Sequence, residues 1–292
     1  MDIGSSHIKL VVLEKKGKER ILKKFSSQSL TPGDDLAAAI KKFIEVQDIL
    51  EPCVNISISG PVVMMRYVSL PKMTLQELKS TMQFEAKQYI PFSLDEMILD
   101  CAIVKEKLDN NKMLVVFAAI KKTAAQERIS LIEKAGLTLG IIDVDCFCLV
   151  NAFTHNLSLS AHASSDAKLQ AVGLLNIGAR STNMAIIENG SLCFSRDIAY
   201  GGQEATLNNL GTEINSSIDY YENQNGKPVE KIYLSGGLSL DARLYDFLAR
   251  LLNMQVCPFD VFSGITMGPS IAASTLKAQG SMFAISLGLA LR

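Results

Sequence analysis

The chain has 292 residues, 48% of them hydrophobic, and a net charge of −1, which allows one large or two medium domains with buried cores and argues against disorder or a basic nucleic-acid surface. Its longest apolar runs, such as Met113 to Ile120, fall short of the roughly 20 residues a membrane-spanning helix needs. No basic and apolar leader precedes Asp2, so a cytoplasmic protein with no direct membrane span is expected.

The chain opens on Asp2-Ile3-Gly4-Ser5-Ser6, followed by the aliphatic run Ile8 to Leu13, which reads as strand, tight turn, strand. Lys9, Glu14, Lys15 and Lys16 read as solvated hairpin residues. Ile21 to Ser26 continues as a strand. The Thr31-Pro32-Gly33-Asp34-Asp35 turn then starts a helix from Leu36 to about Val46, with Leu36, Ile40, Phe43 and Ile44 on one face. Glu51-Pro52 closes that connection, and Val54 to Gly60 alternates as a strand.

From Pro61 to Gly140 the pattern is that of an inserted unit. Its first helix carries Thr74 and Glu77 at the two positions of a capping box, aligns Leu75, Leu78, Met82, Ala86 and Tyr89, and stops at Ile90-Pro91-Phe92. Strands Met97 to Val104 and Met113 to Ile120 flank the Asp109-Asn110-Asn111 turn. A second helix starts at Thr123 and Gln126, turns Ile129 and Ile132 inward and ends at Gly136, a left-handed cap. Leu139 to Val144 is the returning strand.

A helix is expected from Asp145 to Phe153, then a Ser- and Ala-rich exposed link over Asn156 to Lys168. The opening device then recurs as Asn176-Ile177-Gly178-Ala179-Arg180-Ser181-Thr182 ahead of Met184 to Ile187. Ser191 to Ile198 is a strand, Gly201-Gly202 a turn, and Glu213 to Tyr221 a helix facing inward through Ile214, Ile218 and Tyr221. The strand Lys231 to Leu234 runs into Ser235-Gly236-Gly237, followed by a helix from about Asp241 to Leu252 that buries Leu244, Phe247, Leu248 and Leu251. Met282 to Leu291 is a final helix containing Gly288, placed to pack close to the cleft.

A Gly turn of this kind leaves successive N–H groups pointing outward, and two facing turns can grip one polyphosphate. Gly4, Ser5 and Ser6 would hold one side and Gly178, Ser181 and Thr182 the other, with two plain hairpins as the alternative. Gly236 and Gly237 offer bare backbone to an adenosine. Asp2 is the candidate carboxylate for Mg²⁺, acting through water. Arg180 is left unassigned. The cysteines Cys53, Cys101, Cys146, Cys148, Cys193 and Cys257 read as buried thiols, and His7, His155 and His162 lack metal-ligand spacing.

The order of these motifs resembles the actin, Hsp70 and sugar-kinase superfamily. Leu70 to Leu78 and Phe84-Glu85-Ala86-Lys87-Gln88-Tyr89-Ile90-Pro91-Phe92 are similar to the signature of the type IV pilus assembly PilM family, a relative of the division protein FtsA. Asp143-Val144-Asp145, Tyr200-Gly201-Gly202, Tyr220-Tyr221-Glu222 and Ile232 to Gly237 extend the likeness.

The resemblance implies an α/β, actin-like (ribonuclease H-like) two-lobed ATPase fold. Residues 1–60 with 141–165 would form the first lobe (1A), 61–140 an inserted SHS2 or 1C subdomain, and 166–292 the second lobe (2A). Subdomain 2B would be largely reduced, because the segment from Gly202 to Glu213 is short. Asp145 and Asn151 fall near the water-positioning residue of related ATPases, though a helix cap and an exposed amide explain them equally well.

The implied function is a cytoplasmic scaffold binding ATP with Mg²⁺, peripheral to the inner membrane. It would capture the cytoplasmic tail of a PilN-like inner-membrane protein and tie the pilus inner-membrane alignment complex to the motor; a homo-oligomer is a further option. Asn176 stands where an acid is expected, which implies at most a weak ATPase. Asp2 follows Met1 directly, so the first strand lacks its usual beginning. A small-molecule kinase is the first alternative, but it needs a carboxylate base, and none is evident beside the turns. An FtsA-like polymer-forming protein is the second; it would carry a basic amphipathic helix where this chain has Leu289-Ala290-Leu291-Arg292.

Overall fold

A computed structural model describes residues 1–49, 53–160 and 171–292. Glu51-Pro52, His162 and the 161–168 part of the expected link lie outside them. The first lobe begins with β1 (Asp2–Ile3), β2 (His7–Lys16) and β3 (Glu19–Ser29). Next come α1 (Leu36–Val46), capped by the Asp35 carboxylate, and β4 (Cys53–Ile58).

The three-stranded sheet β5-β7-β6 follows, from β5 (Val63–Pro71), β6 (Met97–Leu108) and β7 (Lys112–Lys121), with α2 (Leu75–Ala86) beside it. The capping box on α2 is formed, with Glu77 N donating to Thr74 Oγ1 at 3.2 Å and Thr74 N to Glu77 Oε2 at 2.7 Å. Leu78 and Ala86 enter the core of this unit, whereas Leu75, expected on the same face, is 46% exposed.

The chain returns through α3 (Lys122–Lys134), β8 (Thr138–Val144) and α4 (Asp145–Ser160). Gly136 has the left-handed conformation expected of it, with φ +79°, but no side chain caps the start of α3. Ile132, Ala135 and Leu137 pack with Ile40, Phe43, Val54 and Ile56, so α3 lies against α1 and not in the core of the three-stranded sheet. Helix α4 continues past Phe153 to Ser160. Asn156, expected in an exposed link, is buried and donates through Nδ2 to Asp260 O and Val261 O, both at 2.9 Å.

The second lobe holds β9 (Ala171–Ile177), β10 (Thr182–Glu188), β11 (Ser191–Ile198), α5 (Leu207–Asn225), β12 (Val229–Ser235), α6 (Ala242–Leu252) and β13 (Gln255–Pro258). Only a single 3₁₀ turn and α5 join β11 to β12. That helix starts at Leu207, earlier than expected, and runs to the left-handed Gly226. β14 (Thr266–Met267) pairs parallel with β3, and α7 (Ala273–Gln279) and α8 (Ala284–Ala290) close the chain.

The two lobes follow one plan. Sheet order β11-β10-β9-β12-β13 in the second matches β3-β2-β1 and then the parallel pair β4-β8 in the first, where the two-residue β1 is too short to join them into one sheet. Helices α1 and α3 answer to α5 and α6. Between the lobes α4 crosses α8 backbone to backbone: a Cβ on Gly288 would lie 1.9 Å from Cys148 O. Cys101, Cys146 and Cys148 are buried, but Cys53 is exposed and Cys193 and Cys257 are half-buried. No helix among the described residues is long and apolar enough to cross a membrane.

Candidate functional site

The two Gly turns are the same turn built twice. Gly4 N donates to His7 O at 2.9 Å and Gly178 N to Ser181 O at 2.9 Å. A Cβ on either glycine would meet that carbonyl at 3.0 Å. Below the turns the register puts Asp2 opposite Lys9 and Asn176 opposite Asn183. Lys9 Nζ donates to Asp2 Oδ2 at 2.9 Å, and in the second hairpin Asn176 Nδ2 donates to Asn183 Oδ1 at 3.1 Å. Lys9 is therefore not the solvated residue expected; with 12% of its side chain exposed, it neutralises Asp2 from within the hairpin.

Ser5 and Ser181 are exposed at the turn tips, as is Arg180. Ser6 is tied back, its hydroxyl to His7 Nδ1 at 3.1 Å and its carbonyl to Leu30 N at 2.8 Å. Thr182 does not join the cradle. It is fully buried and its hydroxyl donates to Tyr200 O at 2.9 Å, because strand alternation turns it into the lobe. Asn176 is likewise buried, its amide used by Asn183 and its carbonyl facing Ser235 Oγ at 3.4 Å.

Strand β12 lies parallel to β9 with Ser235 opposite Asn176, so Gly236 and Gly237 emerge at the same sheet end as Gly178, the edge at which open α/β sheets bind ligands. Gly236 has φ +97° and a Cβ there would be 2.4 Å from Ile177 O, whereas a Cβ on Gly237 would meet nothing within 4 Å. Gly237 is the bare backbone of the site. A pocket of about 380 Å³ adjoins it, with walls from Gly202, Leu207, Leu238, Leu244, Phe247 and Arg250. Gly202 N donates to Gly178 O at 3.2 Å, which joins this pocket to the second Gly turn. The charged Asp241 and Arg243 complete the pocket's lining, so a flat heteroaromatic base would find both apolar side chains and polar partners there, beside bare backbone.

The first lobe repeats this third signal at the end of β4, where the sequence shows only an alternating strand. Ile58-Ser59-Gly60, with φ +84° at Gly60, stands where Leu234-Ser235-Gly236 stands in the second lobe. Gly60 N donates across the cleft to Asp197 Oδ2 at 2.6 Å, and Asn183 Nδ2 donates to Asp197 Oδ1 at 2.9 Å. Asp145, the first residue of α4, faces the same place. Burial, then the charge of Asp2, push its carboxyl up to about 6, against hydrogen bonds from Ser57 and Ser59, and Asp197 adds to the rise.

Three carboxylates thus share the cleft floor, one of them balanced by Lys9. Among the described residues no three Asp, Glu, His or Cys side chains converge as metal ligands. A hydrated cation fits this floor better than a directly ligated one. Asn151 is elsewhere, about 240° round α4 from Asp145, with its amide nitrogen buried.

Two lobes of one plan, each offering a Gly turn to a common cleft with crossing helices behind, define the actin-like ATPase fold. The family model described as type IV pilus assembly protein PilM matches residues 1–210 and 206–292. The chain belongs to that family. It is similar to a structure of the PilM-PilN type IV pilus biogenesis complex, at 24% identity and a TM-score of 0.85 over 100% of this chain and 96% of that one. It also shares its fold with the ethanolamine utilization protein EutJ from Carboxydothermus hydrogenoformans, at 12% identity and a TM-score of 0.54 over 99% of this chain and 87% of that one.

Proposed function

We propose that this chain is a cytoplasmic scaffold of type IV pilus assembly that captures the N-terminal tail of a PilN-like inner-membrane protein, with MgATP held between its lobes. The observation that carries the reading is family membership along the whole chain, and the likeness to a PilM-PilN complex supports the choice of partner. The scaffold would sit at the inner membrane through that partner and join the alignment complex there.

For the tail we favour a groove of about 220 Å³ between the three-stranded sheet and the first lobe, walled by Ile98, Ala102, Ile120, Ile142, Val144 and Phe147. Ile98 is 45% exposed in it, and such walls suit an extended apolar segment. For the nucleotide, Gly4, Ser5, Gly178 and Ser181 would face the phosphates, Gly237 the adenosine, and Asp2, one of whose oxygens Lys9 holds, a hydrated Mg²⁺. Neutral Asn176 and the Lys9–Asp2 pair both favour slow hydrolysis or none.

The test is calorimetric titration of the folded protein with a synthetic peptide of the PilN tail. Saturable binding that falls by about tenfold in Ile98→Asp, with an unchanged melting temperature, supports the reading. Absence of binding removes the partner assignment. A rise in melting temperature with MgATP tests the nucleotide separately, because a ligand bound only by the folded state must stabilise it.

A further inference from the structure

Further along α4 lies a second polar pocket, of about 360 Å³, that the reading above does not use. Arg20, Asn151, Thr154, His155, Leu291 and Arg292 line it, and none of them is acidic. The nearby acids are already engaged. Glu19 Oε1 accepts from Thr266 Oγ1 at 2.7 Å, and Asp143 is paired with Arg292 Nε. Among the described residues Arg20 makes one long contact from its guanidinium, 3.5 Å to Glu19 O, and Arg292, held through Nε, lies between this pocket and the groove of Ile98 and Phe147.

His155 is anchored to the backbone of Gly264, and burial, then the neighbouring charge of Arg20, hold its pKa below the usual value. The Thr154 hydroxyl donates to Val150 O at 2.8 Å and so offers no proton. Asn151 differs. Its Nδ2 is buried without a hydrogen-bond partner, and an orphaned buried donor is rare enough to need a reason.

We propose that this pocket binds a phosphate oxyanion. Two guanidinium groups arriving from different elements, β3 and the end of α8, supply charge and a forked donor geometry matched to phosphate. Asn151 adds a polar residue to the same wall. No acidic side chain lines the pocket, and its dimensions admit a small anion together with water. The site is separate from the Gly turns and does not rest on the assignment of ATP.

The probe is sodium phosphate, titrated against sodium chloride at equal ionic strength and followed through the ring signals of His155 in NMR spectra of the whole chain, which has only three histidines. A saturable phosphate-specific shift is expected, its midpoint weakened by about tenfold in Arg20→Ala and by less in Arg20→Lys, which keeps the charge and loses the fork. Phosphate at the Gly turns would move Gly4 and Gly178 and leave His155 still, so the two sites are distinguished. An unresponsive His155, an equal response to chloride, or an unchanged midpoint in a folded Arg20→Ala overturns the proposal. A second arm with phosphatidylglycerol vesicles separates the sources. Sedimentation with vesicles that is lost in Arg20→Ala means a lipid headgroup, and a phosphate response without vesicle binding means a free anion.

Discussion

Lys9 Nζ lies 2.9 Å from Asp2 Oδ2, and the two side chains are only 12% and 11% exposed. The equivalent cross-strand positions of the second hairpin carry Asn176 and Asn183, a neutral pair. Both turns are therefore electrically balanced at the base, one by opposite charges and one by amides. Breaking a buried pair on one side strands the other charge, at about 3–5 kcal/mol in well-buried cases. Lys9→Met is expected to lose roughly 2–4 kcal/mol, and Lys9→Met with Asp2→Asn to recover most of it. Urea denaturation of the four proteins in the cycle measures this, and additive losses would show that the pair is uncoupled.

Asp145 makes the cleft sensitive to pH. Its folded-state pKa of about 6 lies above the unfolded value of about 4, so the folded protein holds this proton more tightly. The stability it contributes is complete below about pH 4 and is lost as the pH rises through 6. Asp145→Asn should match the parent near pH 4 and exceed its stability by about 1–3 kcal/mol at pH 7.5. Urea midpoints at both pH values check this; a variant equal to the parent at pH 7.5 would place Asp145 in solvent.

Gly288 leaves no room at the crossing of α4 and α8, where an added Cβ would sit 1.9 Å from Cys148 O. Backbone cannot yield as a side-chain tip can. Gly288→Ala should therefore cost at least about 3 kcal/mol, visible as a large drop in melting temperature. A drop of only a degree or two would contradict so close a crossing.

Gly236 and Gly237 separate folding from binding. Gly236→Ala strains a backbone at φ +97° and drives a Cβ into Ile177 O, so it should unfold or strongly destabilise the second lobe. Gly237→Ala meets nothing within 4 Å and should melt like the parent. If adenosine lies on that backbone, the added methyl weakens MgATP binding by about tenfold. An equal affinity in Gly237→Ala moves the base elsewhere, with the pocket walled by Leu238 and Phe247 the next place to probe.

What the sequence determined by itself is local. Turn chemistry announced the Gly4 and Gly178 turns, the Thr74 and Glu77 spacing announced the start of α2, and helical periodicity picked out Ile40, Phe43 and Ile44, because each depends on residues a few positions apart. The order of these signals, with the run from Phe84 to Phe92, was enough to point to the fold and the family.

What only the tertiary structure decided depends on neighbours far apart in the chain. Thr182 and Ser5 are both hydroxyl residues of a Gly turn, yet strand alternation under a second layer buries one and leaves the other free. Lys9 reads as an ordinary hairpin lysine until the lobe closes over Asp2. Ser59-Gly60 is recognisable as the counterpart of Ser235-Gly236 only once the two sheets prove to follow one strand order. The grouping of Asp2, Asp145 and Asp197, and that of Arg20 with Asn151 and Arg292, bring together residues far apart in the chain. Such distances carry no local signal, since long-range packing alone decides which side chains share a cavity and lose their water.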